Sequence, residues 1–339
     1  MRLVFGAIAL AAAGCGASSS GSPSTTVPIV VHDKFTAGLE GMLIPVRVGS
    51  AGAATAQVVL DTGSSGLRIL ASAIDASTYQ RTGTMLTETF DNGMVFDGEQ
   101  ATAIVAVGDA ATPQAIDIEV VDDVSCSATT PDCIGSAGAS VLTDVGTMGI
   151  FGVGLRGYSD STLFSAVAQL PAAQQSYAIH LDAGGTTGSL AIGLSTDDFS
   201  SYQLVPLAPD PSGAQHPNTV PAWNDAAVPV CFAVAGSAVT QPCADETLFD
   251  SGTTEIVLMD GGIPASAADA AGYLTAGTAF DASFGSAFDW ATTATQGEIY
   301  VAASSSPGFD RILGMPFFAA YDLAFDIAGG RIGIRAQQP

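Results

Sequence analysis

Two stretches, Val58-Val59-Leu60-Asp61-Thr62-Gly63-Ser64-Ser65-Gly66-Leu67 and Thr247-Leu248-Phe249-Asp250-Ser251-Gly252-Thr253-Thr254, decide how this chain is read. Each drives an apolar run into Asp-(Thr/Ser)-Gly and continues with hydroxyl residues. A carboxylate at the end of a buried strand is costly unless it is hydrogen-bonded or used for chemistry. The glycine that follows lets a second backbone approach closely, and the hydroxyls can hold both carboxylates in one plane. Two carboxylates brought face to face cannot both ionise. They share a proton, so one serves as base towards a water while the other donates to a carbonyl.

The tripeptide alone is a weak signal; its repetition in matching context is a strong one. Gly152, in Gly149-Ile150-Phe151-Gly152-Val153-Gly154-Leu155, lies 91 residues after Asp61. Gly314, in Arg311-Ile312-Leu313-Gly314-Met315-Pro316-Phe317-Phe318, lies 64 residues after Asp250. Each half reads apolar-Asp-(Thr/Ser)-Gly and then, much later, apolar-apolar-Gly. An internal repeat of this kind predicts two similar lobes, each giving one carboxylate to a shared cleft.

With these motifs, with Gly188-Ser189-Leu190-Ala191-Ile192-Gly193, and with Phe325-Asp326 and Arg331-Ile332-Gly333, the chain resembles the pepsin family from about residue 36 to residue 335. The run Gly66-Leu67-Arg68-Ile69-Leu70 looks more like an uncharacterised bacterial branch of it. The resemblance implies an all-β, two-lobed, pepsin-like double β-barrel with an interlobe active-site cleft. It implies an aspartic endopeptidase that hydrolyses peptide bonds with an Asp61–Asp250 dyad and an activated water, at acidic pH, with no cofactor and no metal. The alternative is a catalytically degenerate pepsin-fold surface lipoprotein that binds a peptide or protein partner. Both half-sites lie in one chain, so a monomer is expected.

By the same resemblance, Thr62 and Ser251 stand where hydroxyls cross-brace the two loops beside Gly63 and Gly252. Ser64 and Thr253 match positions that bond the outer carboxylate oxygens. The substrate-covering hairpin is expected at Glu88-Thr89-Phe90-Asp91-Asn92-Gly93-Met94, where Asn92-Gly93 is a good hairpin turn. The family has Tyr where Phe90 stands and a Trp bonded to it where Arg68 stands. Arg68 over the Phe90 face would substitute as a cation–π contact. An inward-pointing Arg68 would also pull both apparent pKa values of the dyad down.

Composition agrees with a folded β protein: 339 residues, 47% hydrophobic, with Val, Ile, Thr and Phe alternating between Gly, Pro and Asp breaks. Leu43-Ile44-Pro45-Val46-Arg47-Val48 and Ile104-Val105-Ala106-Val107 read as strands, and Ala-rich stretches such as 263–271 as short helices. The net charge of −24 excludes nucleic acid or an anionic membrane surface as partner, since both need basic surface.

Residues 1–14 read as a secretory signal peptide. Leu10-Ala11-Ala12-Ala13-Gly14-Cys15 resembles a bacterial lipobox, which makes Cys15 a lipidation site and the only membrane attachment. A Ser/Gly-rich tether over 15–27 follows. Only about twenty residues separate Cys15 from the first expected strand, and Lys34 is the sole lysine, so no basic prosegment is expected. The N-terminal lobe is set at 28–205 and the C-terminal lobe at 206–339, after a crossing rich in proline (Pro206, Pro209, Pro211, Pro217, Pro221). Cys126 with Cys133, and Cys231 with Cys243, form close pairs; secretion into an oxidising compartment predicts two disulfides. The location expected is the bacterial cell envelope, as an outer-membrane or surface lipoprotein, or outside the cell.

Overall fold

The run that ends in Asp61 is a strand, Thr55–Asp61, in which Ala56, Val58 and Leu60 turn inward while Thr55 and Gln57 face solvent. The computed structural model describes residues 24–32, 41–157, 163–212, 215–235, 243–258, 263, 265–302 and 311–337. The signal peptide, Cys15 and most of the tether lie outside the described residues. The first strand begins at Thr25 and pairs with Ile192, so the tether expected to reach residue 27 gives way to sheet sooner. The β-branched run Thr25-Thr26-Val27 accounts for this.

Each half of the chain builds the same local weave. The strand Gly149–Val153 runs parallel to Thr55–Asp61, with Gly152 beside Asp61, and antiparallel to Ser65–Leu70. In the second half, Arg311–Leu313 runs parallel to Ala244–Phe249 and antiparallel to Ile256–Leu258. Both times the later strand inserts between the one that ends at the aspartate and the one that follows its loop. Strands paired on both edges and covered on both faces need near-continuous apolar sequence, which Gly149–Val153 and Ser65–Leu70 supply apart from Arg68.

The glycines of the apolar-apolar-Gly signature are required by this weave. A Cβ on Gly152 would stand 2.6 Å from the Ser65 backbone. One on Gly314 would meet the Thr253 and Glu255 carbonyls.

Among the described residues two sheets, of 15 and 7 strands, carry the fold, which is all-β and two-lobed. The last strands, Tyr321–Asp326 and Arg331–Ala336, leave the smaller sheet and pair with Ser176–Leu181 and Gln203–Pro206. The chain after residue 206 therefore contributes to both sheets, because the strand Ser176–Leu181 leaves an edge that the C-terminal strand closes. A continuous core runs through both halves, with Leu60, Phe151 and Tyr177 from the first and Phe249, Phe317 and Phe325 from the second. Phe249 and Phe317 lie 5.2 Å apart between centroids, and Phe317 stacks on Tyr321 at 4.7 Å. Full burial of each such side chain is worth about 1.5–3 kcal/mol.

Cys126 is bridged to Cys133 and Cys231 to Cys243, as the spacing predicts. In the Ala-rich stretch at 263–271 the described residues form a 3-10 turn, Ala265–Ala267, in place of the short helix expected. Among the described residues no helix is long and apolar enough to cross a membrane.

Candidate active site

The two Asp-containing loops meet, and they meet reciprocally. The Thr62 N–H donates to Ser251 Oγ at 3.0 Å, and the Ser251 N–H donates to Thr62 Oγ1 at 2.9 Å. Each hydroxyl then donates onward into the opposite strand, Thr62 to the Phe249 carbonyl and Ser251 to the Leu60 carbonyl, both at 2.7 Å. Thr62 and Ser251 are fully buried, so these four hydrogen bonds satisfy their polar groups without water.

This brace aims the carboxylates at each other. Asp61 Oδ1 accepts the Gly63 N–H at 2.8 Å and its Oδ2 accepts the Ser64 hydroxyl. Asp250 Oδ1 accepts the Gly252 N–H at 2.7 Å and its Oδ2 accepts the Thr253 hydroxyl at 2.7 Å. The two halves are the same arrangement with Ser exchanged for Thr. A Cβ on Gly63 would fall on the Asp250 carboxylate, and one on Gly252 would stand 2.7 Å from Asp61 Oδ1. Both glycines are therefore the surfaces against which the opposite carboxylate rests.

Asp61 is 7% exposed and Asp250 half-buried. Burial first, and then the charge of Asp61 beside it, push Asp250 up to about 8. At neutral pH Asp250 therefore keeps its proton, on a carboxyl hydrogen-bonded to Asp61. Such a pair contains a base and an acid within reach of the same bound molecule.

Two residues that sequence reasoning did not single out support the Asp61 loop from behind. Arg156 Nη2 donates to the Gly63 carbonyl at 3.1 Å, and its Nε lies 2.8 Å from Asp225 Oδ1. Asp225, fully buried, also accepts the Leu155 N–H at 2.6 Å. Burial raises the Asp225 pKa while Arg156 opposes the rise. The signal for Arg156 was its place just after the repeated glycine motif. Asp225, in the crossing, had none.

The hairpin is present, formed by Gln80–Thr89 and Met94–Ala103. Its turn is closed by the Phe90 N–H to the Met94 carbonyl at 2.9 Å and the Gly93 N–H to the Phe90 carbonyl at 2.8 Å. Asn92 Oδ1 accepts the Met94 N–H at 3.0 Å, Gly93 takes φ of 83°, and Asp91 and Asn92 are exposed. Phe90 is half-buried, its edge on Phe96 at 5.1 Å, within a small cluster that includes Leu70 and Met94.

Arg68 corrects two expectations. It does not cap Phe90; its Nη2 pairs with Glu88 at 2.6 Å and its Nε lies 3.2 Å from Glu119. An ion pair in a poorly solvated site outweighs a cation–π contact of about 0.5–2 kcal/mol. Nor is Asp250 pulled down: burial and the charge of Asp61 move its pKa up. Glu119 stands on the strand Ile116–Cys126 in register opposite Arg68, a pairing that only the assembled sheet brings about.

Among the described residues no cluster of His, Cys, Asp and Glu converges as a metal ion would require. No curated protein matches the sequence. The fold is similar to the crystal structure of the aspartic proteinase from Irpex lacteus, with a TM-score of 0.60 and 18% identity, over 93% of this chain and 98% of that one. At that identity the likeness establishes a pepsin-like fold. A family model, described as a protein of unknown function (DUF3443), matches residues 30–200, half of the chain, and the protein belongs to that family.

Proposed function

We propose that this protein is an aspartic endopeptidase. The observation that carries the reading is the facing carboxylates of Asp61 and Asp250, each held by a glycine N–H and a hydroxyl and braced by Thr62 and Ser251. Asp61, ionised, takes a proton from a water held between the two groups, while Asp250, protonated, donates to the oxygen of the peptide carbonyl. The water oxygen bonds to the carbonyl carbon and gives a tetrahedral gem-diol. The proton now on Asp61 passes to the amide nitrogen as the C–N bond breaks, and the gem-diol returns its proton to Asp250 as the product carboxyl forms. The dyad ends as it began. The brace serves this chemistry by positioning, since small displacements of reacting groups cost orders of magnitude in rate.

The substrate is an extended peptide covered by the hairpin 80–103. The disulfides support an oxidising, exported setting, and the lipobox-like sequence at Cys15 favours attachment to a bacterial envelope. A second reading, peptide binding without turnover, is favoured by Phe90, whose ring packs on Phe96. Incubation of the purified protein with denatured protein substrates from acid to neutral pH, with and without a statine-type inhibitor, separates the two. Inhibitable cleavage lost in Asp61→Asn supports the enzyme; statine-peptide binding with no cleavage at any pH selects the binding protein.

A further inference from the structure

A guanidinium buried in the middle of a strand is costly unless the charges around it are matched. Arg68 is 3% exposed, and its three contacts run in three directions. Nη1 donates to the Ser65 carbonyl at 2.8 Å, next to Ser64, whose hydroxyl holds Asp61. Nη2 pairs with Glu88 on the first strand of the hairpin, two residues before its turn begins at Phe90. Nε faces Glu119, which is 1% exposed, on the neighbouring strand Ile116–Cys126. A single side chain thus joins the Asp61 loop to the hairpin.

The two carboxylates are not equivalent. Glu88 is 35% exposed and returns to water if its pair breaks, whereas Glu119 has no water to return to. The group is electrically balanced only when one of the two is neutral. Glu119 is faced by Arg68 from Ser65–Leu70, by Glu88 from Gln80–Thr89 and by Asp97 from Met94–Ala103. Its second oxygen, buried, has no hydrogen-bond donor to stabilise a full charge.

We propose that Arg68 is a positioning residue that clamps the hairpin to the Asp61 loop through Glu88, and that Glu119 is the competing carboxylate that loosens the clamp when it ionises. The catalytic consequence rests on the reading of the hairpin as substrate cover; the clamp itself does not. Burial, the largest influence, pushes Glu119 up to about 7 against the opposing pull of Arg68. Below that pH Glu119 is neutral and Arg68 is left to Glu88. Above it, the new charge takes a share of the guanidinium and repels Glu88. The hairpin is then held in the same pH range in which Asp250 keeps its proton.

Amide hydrogen exchange over residues 84–94 of the full chain, corrected for intrinsic rates, tests the clamp in the wild type, Glu88→Gln and Glu119→Gln. In the wild type the hairpin should open about tenfold more at about pH 8 than at about pH 5. Glu88→Gln should open equally at both, at the higher level, and Glu119→Gln should stay protected at both. Glu88→Gln exchange within about twofold of the wild type at both pH values would refute the clamp. Wild-type pH dependence retained in Glu119→Gln would refute the role of Glu119. With a peptide substrate, Glu88→Gln should raise KM more than it lowers kcat. A wild type that cleaves nothing counts against the proposed enzyme, while exchange still decides the clamp.

Discussion

Thr62 and Ser251, 189 residues apart, each donate a backbone N–H to the other's hydroxyl. The exchange makes each loop the template for the other, so neither aspartate is positioned by its own lobe alone. Thr62→Val leaves the Ser251 N–H and the Phe249 carbonyl unpaired in a dry site and should cost about 1–3 kcal/mol each. Thr62→Ser keeps both bonds and should cost under about 1 kcal/mol. Denaturant midpoints measure the difference, and kcat should fall with Val and survive with Ser.

Asp61→Asn and Asp250→Asn should each reduce kcat by at least about a thousandfold, and the double variant should be little worse than either, because the pair acts as a unit. The alkaline limb of the pH–rate profile should fall near 8, where Asp250 loses its proton. Steady-state kinetics over pH checks both. A profile that is already flat and inactive at pH 6 contradicts the assignment of Asp250 as the acid.

The stability of the protein should decline as pH rises through neutrality. Glu119 has an ordinary value of 4.5 and is held at about 7 in the folded chain. The folded state therefore binds more protons between those values, and the stability this confers is fully present below about 4.5 and gone once pH has passed about 7. The swing is on the order of 3 kcal/mol at most. Asp250 adds in the same direction. His216 works the other way: burial holds its pKa below 6.5, so acidification weakens the fold through that group. Melting temperatures should slope downward between about pH 4.5 and about pH 8 in the wild type, and less steeply in Glu119→Gln, which keeps the Asp250 contribution.

Arg156→Met should be strongly destabilising, by about 3–5 kcal/mol, because it strands the buried carboxylate of Asp225. Adding Asp225→Asn should recover much of that loss, since the amide oxygen still accepts the Leu155 N–H. A double-mutant cycle in urea reads the coupling. Equal losses in the single and double variants would mean that Arg156 acts through packing rather than charge.

Gly152→Ala should cost more than about 2 kcal/mol, since its Cβ would lie 2.6 Å from the Ser65 backbone, which cannot rotate away. Gly52→Ala, where nothing lies within 4 Å, should change stability by less than about 1 kcal/mol. Thermal unfolding of the two variants provides the contrast.

The dyad and its supports were legible in the sequence because they are local and repeated. Asp61 and Asp250, the glycines after them and the hydroxyls around them sit in two short cassettes whose residues bond mostly within themselves or to their mirror image. The two disulfides were legible for a similar reason, because their cysteines are close in sequence. The partners of Arg68 were not. Glu88 and Glu119 reach it through the register of three strands, and register is set by how whole sheets pack. Phe90, at the start of the turn, packs on Phe96 for the same reason, since nothing in the turn sequence said which neighbour would be in reach. The return of the last two strands to the first sheet is likewise a matter of which edge is left open once everything else has paired. A residue's chemistry is written in the chain; which distant group completes it is decided only when the low-dielectric interior closes and each buried charge must find the partner the packing leaves within reach.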